Sequence, residues 1–194
     1  SDWYENGKEF YGHTIWVGPD LGGPLFWCHY PFLGFDPRGR DAHCNYFENS
    51  RNIALAHHDY CRDNPRRRAG FSAVSWGLTA SDVPDGYRAN APGREDGTIA
   101  PTAALSSMPY TPNESMAALR HVYDTHGDRL FGPFGFRDAF NLDRDWFARS
   151  YIAIDQGPIV VMIENHRTGL LWELFMSCPE LPPMMEAIGW RREL

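Results

Sequence analysis

Apolar residues recur at helical spacing along most of this chain, and short polar or Gly- and Pro-containing segments separate the runs. Spacings of three and four residues between apolar positions are typical of helices with one buried face. The longest run covers residues 45–62 and stops at Asp63, Asn64 and Pro65, which together form a helix stop signal. The pattern predicts about six helices, over residues 25–33, 45–62, 98–107, 115–126, 159–176 (interrupted at Gly169) and 182–188.

The clearest start signal lies just before the fourth predicted helix. Thr111 suits the N-cap, Pro112 the first helical position, and Glu114 the third position of a capping box. Gly127 is predicted to end this helix.

Strand signals are weak in comparison. Residues 146–154 have some strand character, but the chain has no sustained series of alternating apolar and polar residues. We therefore predict an all-α fold of about three antiparallel helical hairpins, joined by long irregular loops. One domain over residues 1–194 is expected, because this length suffices for one sizeable core.

The composition narrows the partners and cofactors. A chain with 43% hydrophobic residues is expected to be globular, and its net charge of -7 disfavours nucleic acid or an anionic membrane as a partner. No apolar run approaches the ~20 residues that span a bilayer. The four cysteines contain no C-x-x-C pair, and a packing role is expected for His57 and His58, so we predict no metal and no cofactor.

Residues 76–109 form a long segment that is too rich in Gly and Pro to be one regular element. Its carboxylates include Asp82 and Glu95, and its aromatic residues include Trp76 and Tyr87. Aromatic faces bind the apolar side of a sugar ring, and carboxylates bind hydroxyls and transfer protons. The segment is therefore either a carbohydrate site or a solvated loop whose Asp residues only form turns and caps.

A series of motifs gives the chain a family resemblance. It resembles the bacterial glucoamylase-like family, which includes endo-β-1,2-glucanases and a domain of cyclic β-1,2-glucan synthases. The motifs follow one another over nearly the whole chain: PDLGGP (19–24), WGLTASD (76–82), APTAALSS (100–107), PYTP (109–112), GFRDAF (135–140), AIDQGP (153–158) and ENHRTG (164–169).

The resemblance implies an (α/α)6 toroid of six helical hairpins. Because such a toroid needs about twice this length, it also implies that residues 1–194 are a C-terminal half. A half-toroid would expose apolar helix faces and would need an N-terminal half-domain or self-association as a partner. The family further implies a periplasmic or secreted protein and a glucan or oligosaccharide substrate.

Glycoside hydrolysis needs a protonated carboxylic acid and a carboxylate that activates water or attacks the sugar. We assign the base to Asp138, because its Gly- and aromatic-rich surroundings admit water and Arg137 beside it would keep it ionised. A capping role in a helical turn is the alternative for Asp138. Asp155 is the second catalytic candidate, with helix N-capping as an equally good reading.

Six further residues are predicted to bind substrate. Glu164 has an alternative role, an ion pair with Arg167. The predicted substrate-binding residues are Trp76, Asp82, Tyr87, Arg94, Glu95 and Glu164.

The leading hypothesis is a glycoside hydrolase that acts on β-1,2-glucan or related gluco-oligosaccharides. The alternatives are a carbohydrate-binding subunit without turnover and a structural half that folds only with a separate N-terminal half.

Overall fold

The computed structural model describes residues 5–192, in which α-helices and short strands alternate. The helices are α1 (Phe26–His29), α2 (Tyr46–Asp63), α3 (Pro101–Ser106), α4 (Pro112–Leu130), α5 (Ala153–Arg167), α6 (Leu170–Met176) and α7 (Leu181–Ala187). The strands are β1 (Glu5–Phe10), β2 (His13–Val17), β3 (Gly39–Arg40), β4 (Ala80–Val83), β5 (Gly86–Ala89), β6 (Thr98–Ile99), β7 (Phe131–Gly132), β8 (Gly135–Phe136), β9 (Phe140–Asn141), β10 (Trp146–Phe147) and β11 (Arg191–Arg192).

The predicted all-α fold of three helical hairpins is wrong, because the fold is mixed α/β. Five small antiparallel sheets form within residues 5–192: β1–β2, β4–β5, β7–β8, β3–β11 and the three-stranded β10–β9–β6. Most of these strands have only two to four residues, which is too short for a readable alternation of apolar and polar positions.

The two long helices in the first two-thirds of the chain follow their sequence signals. Helix α2 starts after Asn45, whose side chain accepts a hydrogen bond from the Glu48 N–H, as an N-cap residue should. Helix α4 starts at Pro112 as predicted, but the Thr111 side chain makes no cap hydrogen bond, so the predicted capping box does not form, and the helix continues past Gly127 to Leu130. The Gly127 stop signal is therefore wrong, because later turns of the helix bury Leu130 in the core.

Helix α3 lies at the centre of the molecule. All six of its residues are buried, and it packs against both α4 and α5. The chain at Gly77 approaches it so closely that a Cβ there would lie 2.6 Å from the Ala100 carbonyl oxygen. Gly77 also has a φ of 126°, which favours glycine. Glycine at this position therefore allows the start of the 76–109 segment to pack against the core.

The sheet β10–β9–β6 connects this central region to the segment that carries Asp138. Phe140 of β9 pairs with Ile99 of β6 on one side and with Phe147 of β10 on the other. Phe140 is fully buried, and its ring stacks on that of Phe147 at 5.8 Å. The residues just before β9 are thereby fixed beside α3 and the start of α5.

Strand β11, near the end of the described chain, pairs with β3 in an antiparallel sheet. Asp36 is fully buried, and its Oδ2 forms ion pairs with Nη2 of Arg38 and with Nη2 of Arg192, each at 2.9 Å. Trp190 is also buried and packs edge-on against Phe35 at 5.1 Å. The end of the described chain is therefore held to the fold by buried contacts, although β11 itself is exposed.

Candidate active site

Two of the predicted site residues, Asp138 and Asp155, meet in the interior. Asp138 lies on an extended segment between β8 and β9, where its N–H donates to the Ser150 carbonyl at 3.2 Å. Asp155 lies in the first turn of α5, where a carboxylate is stabilised by the helix dipole. Their exposed fractions are 0% and 4%.

Each of the two carboxyl groups accepts one hydrogen bond from a neighbouring residue. Asp138 Oδ2 accepts the backbone N–H of Asp82 at 2.7 Å, and Asp155 Oδ1 accepts the Tyr30 hydroxyl at 2.8 Å. The other oxygen of each group is buried and meets no donor among the described residues. Asp138 and Asp155 are close enough for each to change the pKa of the other. Two ionised carboxylates would both be acceptors, so a hydrogen bond between them requires a proton on one of them.

The surroundings of the pair favour this proton. Burial raises the pKa of Asp138 to about 7, and the charges of Asp155 and Asp82 add to the effect while the Asp82 N–H opposes it. Burial also raises the pKa of Asp155, although its hydrogen bonds with Tyr30 and Asp138 work in the opposite direction. No ion pair within residues 5–192 neutralises either group. The pair therefore holds a proton at a pH where an ordinary aspartate has lost it.

The hairpin β4–β5 brings two more predicted residues to the pair. Asp82 and Tyr87 are cross-strand partners in this hairpin. The Asp82 carboxylate accepts a short hydrogen bond from the Ser150 hydroxyl. Tyr87 is 56% exposed. Partial burial and then the charges of Asp155, Asp138 and Asp82 raise the pKa of Tyr87 to about 12.

Asp82 and Ser150 also line an open pocket of about 830 Å³. Trp146 and Phe147 supply aromatic surface, and the Arg129 guanidinium lies 3.6 Å from the centre of the Phe147 ring. The pocket residues are Asp82, Asp128, Arg129, Arg137, Asp145, Trp146, Phe147, Ala148, Arg149 and Ser150. Rings, guanidinium groups and carboxylates of this kind suit a polyhydroxylated ligand.

Arg137 has a different environment from the one expected. It lines the pocket, and its Nε is buried without a hydrogen-bond partner in the described chain. The structure records no ion pair between Arg137 and Asp138, the contact on which the assignment of Asp138 as an ionised base depended. No helical turn starts at Asp138 either, so its alternative role as a cap is wrong.

Trp76 and Glu95 make their contacts with other residues than the pair. Trp76 is 1% exposed, and its indole N–H points to the Glu114 carbonyl at 3.4 Å. Glu95 is buried and accepts from Arg68 at 3.2 Å, from Arg66 at 3.5 Å and from the Tyr60 hydroxyl at 3.2 Å. Substrate binding by these two residues stays a prediction, and their burial argues against direct contact with a sugar.

Glu164 and Arg94 also stay predictions. Glu164 pairs with Arg167 at 2.9 Å and accepts the Thr168 hydroxyl at 2.8 Å, which is the alternative role expected from the sequence. Arg94 is exposed, and the structure gives its side chain no contact with Asp138 or Asp155.

Two residues beside the carboxyl pair were not predicted from the sequence. Tyr30 lies in a segment that looks only apolar, and Ser150 lies in a segment with weak strand character. Neither has a motif around it that signals a site. Both are brought to the pair by contacts that are distant in the sequence, so only the fold identifies them.

Within residues 5–192, no group of three or more His, Cys, Asp or Glu side chains is arranged to hold a metal ion. None of the described helices combines the length and apolar character required to cross a bilayer.

The Glycoamylase family, described as "Putative glucoamylase", matches residues 1–179. The chain therefore belongs to this family, as the motif series predicted. A curated relative from Parabacteroides distasonis, an exo β-1,2-glucooligosaccharide sophorohydrolase (non-reducing end), is 47% identical over 188 residues. This match covers 95% of the chain but 26% of the relative.

Solved structures agree with this assignment. An endo-β-1,2-glucanase from Chitinophaga pinensis, in complex with sophorotriose and glucose, has a TM-score of 0.94 at 45% identity. A β-1,2-glucanase from Parabacteroides distasonis has a TM-score of 0.93 at 47% identity. The matches cover 97% and 96% of this chain but 47% and 27% of those chains. The chain thus spans about half or less of the length of these relatives.

Proposed function

We propose that this chain forms part of the active site of a glycoside hydrolase that cleaves β-1,2-linked glucan or its oligosaccharides. The single observation that carries the proposal is the buried Asp138–Asp155 pair, in which burial raises the pKa of both groups, next to an open aromatic and polar pocket. The three relatives described above are named as enzymes of β-1,2-glucan or its oligosaccharides, which supports the linkage.

The pair supplies one of the two roles that the reaction needs. Acid and base, or acid and nucleophile, stand about 5–9.5 Å apart in glycosidases, whereas Asp138 and Asp155 are near enough for each to change the pKa of the other. With its raised pKa, Asp138 is better suited to donate a proton to the leaving oxygen than to act as the base. Because Asp138 has no exposed surface, we place one water molecule between its carboxyl group and the sugar.

We propose that Asp82 and Tyr87 contact the sugar directly. Tyr87 presents an exposed ring on the hairpin, and the Asp82 carboxylate lines the pocket. A ring and a carboxylate at adjacent positions can stack on one face of a glucosyl unit and accept its hydroxyls.

The carboxylate that activates water is proposed to come from outside these 194 residues. The share of the relatives that this chain covers, 26–47%, leaves ample sequence to provide it. Large apolar side chains on α5 and α6 are also exposed, since Val160 is 72% and Leu174 58% exposed. We expect these side chains to contact the part of the full-length protein that lies outside this chain.

The test is the release of reducing ends from β-1,2-glucan, compared with starch and laminarin, by the natural full-length protein. Asp138→Asn should abolish most of the activity. The matched control is Asp85→Asn, since Asp85 is an exposed aspartate in the turn of the β4–β5 hairpin, where it pairs with Arg144 at 3.3 Å. Full activity of Asp138→Asn would contradict the assigned role, and cleavage of starch alone would contradict the substrate.

Carbohydrate binding without turnover is the second candidate, supported by the pocket and by the partial coverage of the relatives. Calorimetric binding of sophoro-oligosaccharides without any hydrolysis would favour it over the first.

A further inference from the structure

Tyr30 makes the direct protein contact that distinguishes Asp155 from Asp138. It follows α1 in a short 3-10 turn, and its ring packs against Phe26 with centroids 5.2 Å apart. From there its hydroxyl donates to Asp155 Oδ1 at 2.8 Å, across 125 positions of sequence. The ring contact and the turn fix the direction of this hydroxyl.

The two carboxyl groups therefore have unequal donors. Asp155 receives the hydroxyl of Tyr30, whereas Asp138 receives a backbone N–H from Asp82. A hydroxyl that donates to a carboxylate makes a short, charge-assisted hydrogen bond. That bond favours the ionised form of the group that accepts it.

Little water can reach Asp155 to compete with Tyr30 for a hydrogen bond. The cavity that it shares with Tyr30 and His29 has a volume of about 10 Å³, which is room for one water molecule at most. The titratable groups that face the pair from other elements are His29, Tyr30, Asp82 and Tyr87. Burial lowers the pKa of His29 to about 3, so it adds no positive charge near neutral pH.

We propose that Tyr30 is a positioning residue that keeps Asp155 ionised, so that the proton shared by the pair resides on Asp138. The use of that proton in sugar cleavage rests on the proposed function, but its location does not. In support, the Tyr30 hydrogen bond lowers the pKa of Asp155, and the hydrogen bond with Asp155 raises the pKa of Asp138.

The experiment follows the carboxyl carbons directly. Protein labelled with ¹³C at the aspartate carboxyl groups is titrated by NMR, and the two resonances are assigned with Asp138→Asn and Asp155→Asn. In the unaltered protein, Asp138 should take up a proton first as the pH falls. In Tyr30→Phe, Asp155 should take it up first, with its midpoint raised by about one to two pH units.

Tyr87→Phe is the matched control, because Tyr87 lies near the same carboxylates without a hydrogen bond to them in the structure. It should leave the order of the two titrations unchanged. An unchanged order in Tyr30→Phe, or the same reversal in Tyr87→Phe, would overturn the proposal.

Activity separates this inference from the proposed function. If the titration order reverses in Tyr30→Phe while the natural full-length protein cleaves no glucan, the proton placement stands and the hydrolase proposal fails. If the protein cleaves glucan and Tyr30→Phe leaves both the titration order and the pH profile unchanged, the positioning role fails alone.

Discussion

Glu95 and Asp138 are both buried carboxyl groups on irregular segments, but the chain surrounds them in opposite ways. Glu95 accepts hydrogen bonds from Arg66, Arg68 and Tyr60. Among residues 5–192, Asp138 has a backbone N–H as its donor and a second carboxyl group as its neighbour. The chain thus compensates one buried charge fully and leaves the other to be neutralised by a proton.

This difference separates a structural role from a chemical one. Removing one partner from a buried carboxylate that is paired with arginines costs stability, because the remaining charge is left uncompensated. An unpaired, protonated acid costs stability whenever it ionises, and such groups gather at functional sites. The contrast predicts that changes at Glu95 affect stability and changes at Asp138 affect chemistry.

The largest expected effect is on catalysis. Asp138→Asn should lower the cleavage of β-1,2-glucan by about 10²–10⁴-fold, the usual range for a lost acid or base. The asparagine side chain can still accept the Asp82 N–H, so the protein should fold. Release of reducing ends measures the loss, and comparable activity in this variant and in Asp85→Asn would break the comparison.

The next effect is on stability at the other carboxylate. Glu95→Gln leaves Arg66 and Arg68 without their shared anion and should lower the free energy of unfolding by about 1.5–3 kcal/mol. Urea unfolding at neutral pH measures it, with Asp138→Asn as the reference that should change less. Equal losses in both variants would show that the two sites do not differ in the proposed way.

A pH series should sharpen the contrast. Between its ordinary pKa of 3.8 and its folded pKa of about 7, Asp138 holds a proton in the folded protein that the unfolded chain has lost. Its contribution to stability is therefore present at low pH and is lost as the pH rises through about 7.

Because asparagine does not titrate, Asp138→Asn should gain stability relative to the unaltered protein from pH 5 to 7, on the order of 1–2 kcal/mol. The same substitution in an Asp155→Asn background should show a smaller gain, since a neighbouring charge is gone. Thermal or urea unfolding over this range measures both, and a pH-independent difference would contradict the raised pKa.

The smallest effect is expected at the exposed ring. Tyr87→Ala should weaken the binding of sophoro-oligosaccharides by about 0.5–1.5 kcal/mol, the value of one aromatic stacking contact. Calorimetry measures it. Tyr11→Ala is the matched control, because Tyr11 is 39% exposed in the turn between β1 and β2. An equal loss in the control would remove Tyr87 from the site.

The parts of the fold that local signals determine were predictable. Asn45 and Pro112 mark the starts of α2 and α4, because caps and first-turn residues act within a few positions. The hairpin β4–β5 was not predicted, since its four-residue strands have no readable period. The fold class was wrong for the same reason.

The site was partly predictable. Asp138, Asp155 and Asp82 stood in motifs, and the structure brings them together. Trp76 and Glu95 looked equally suitable on their irregular segment, but long-range partners decide where such residues lie. Trp76 packs edge-on against His58 at 5.7 Å, and the arginines that hold Glu95 come from the loop after α2. Such pairings carry no local signature.

The contact between Asp36 and Arg192 has a practical consequence for anyone who trims the gene. The family match stops at residue 179, which makes that position an inviting boundary for truncation. A chain cut there would lack Trp190 and one of the two cations on a fully buried carboxylate. Expression trials should therefore extend at least through Arg192.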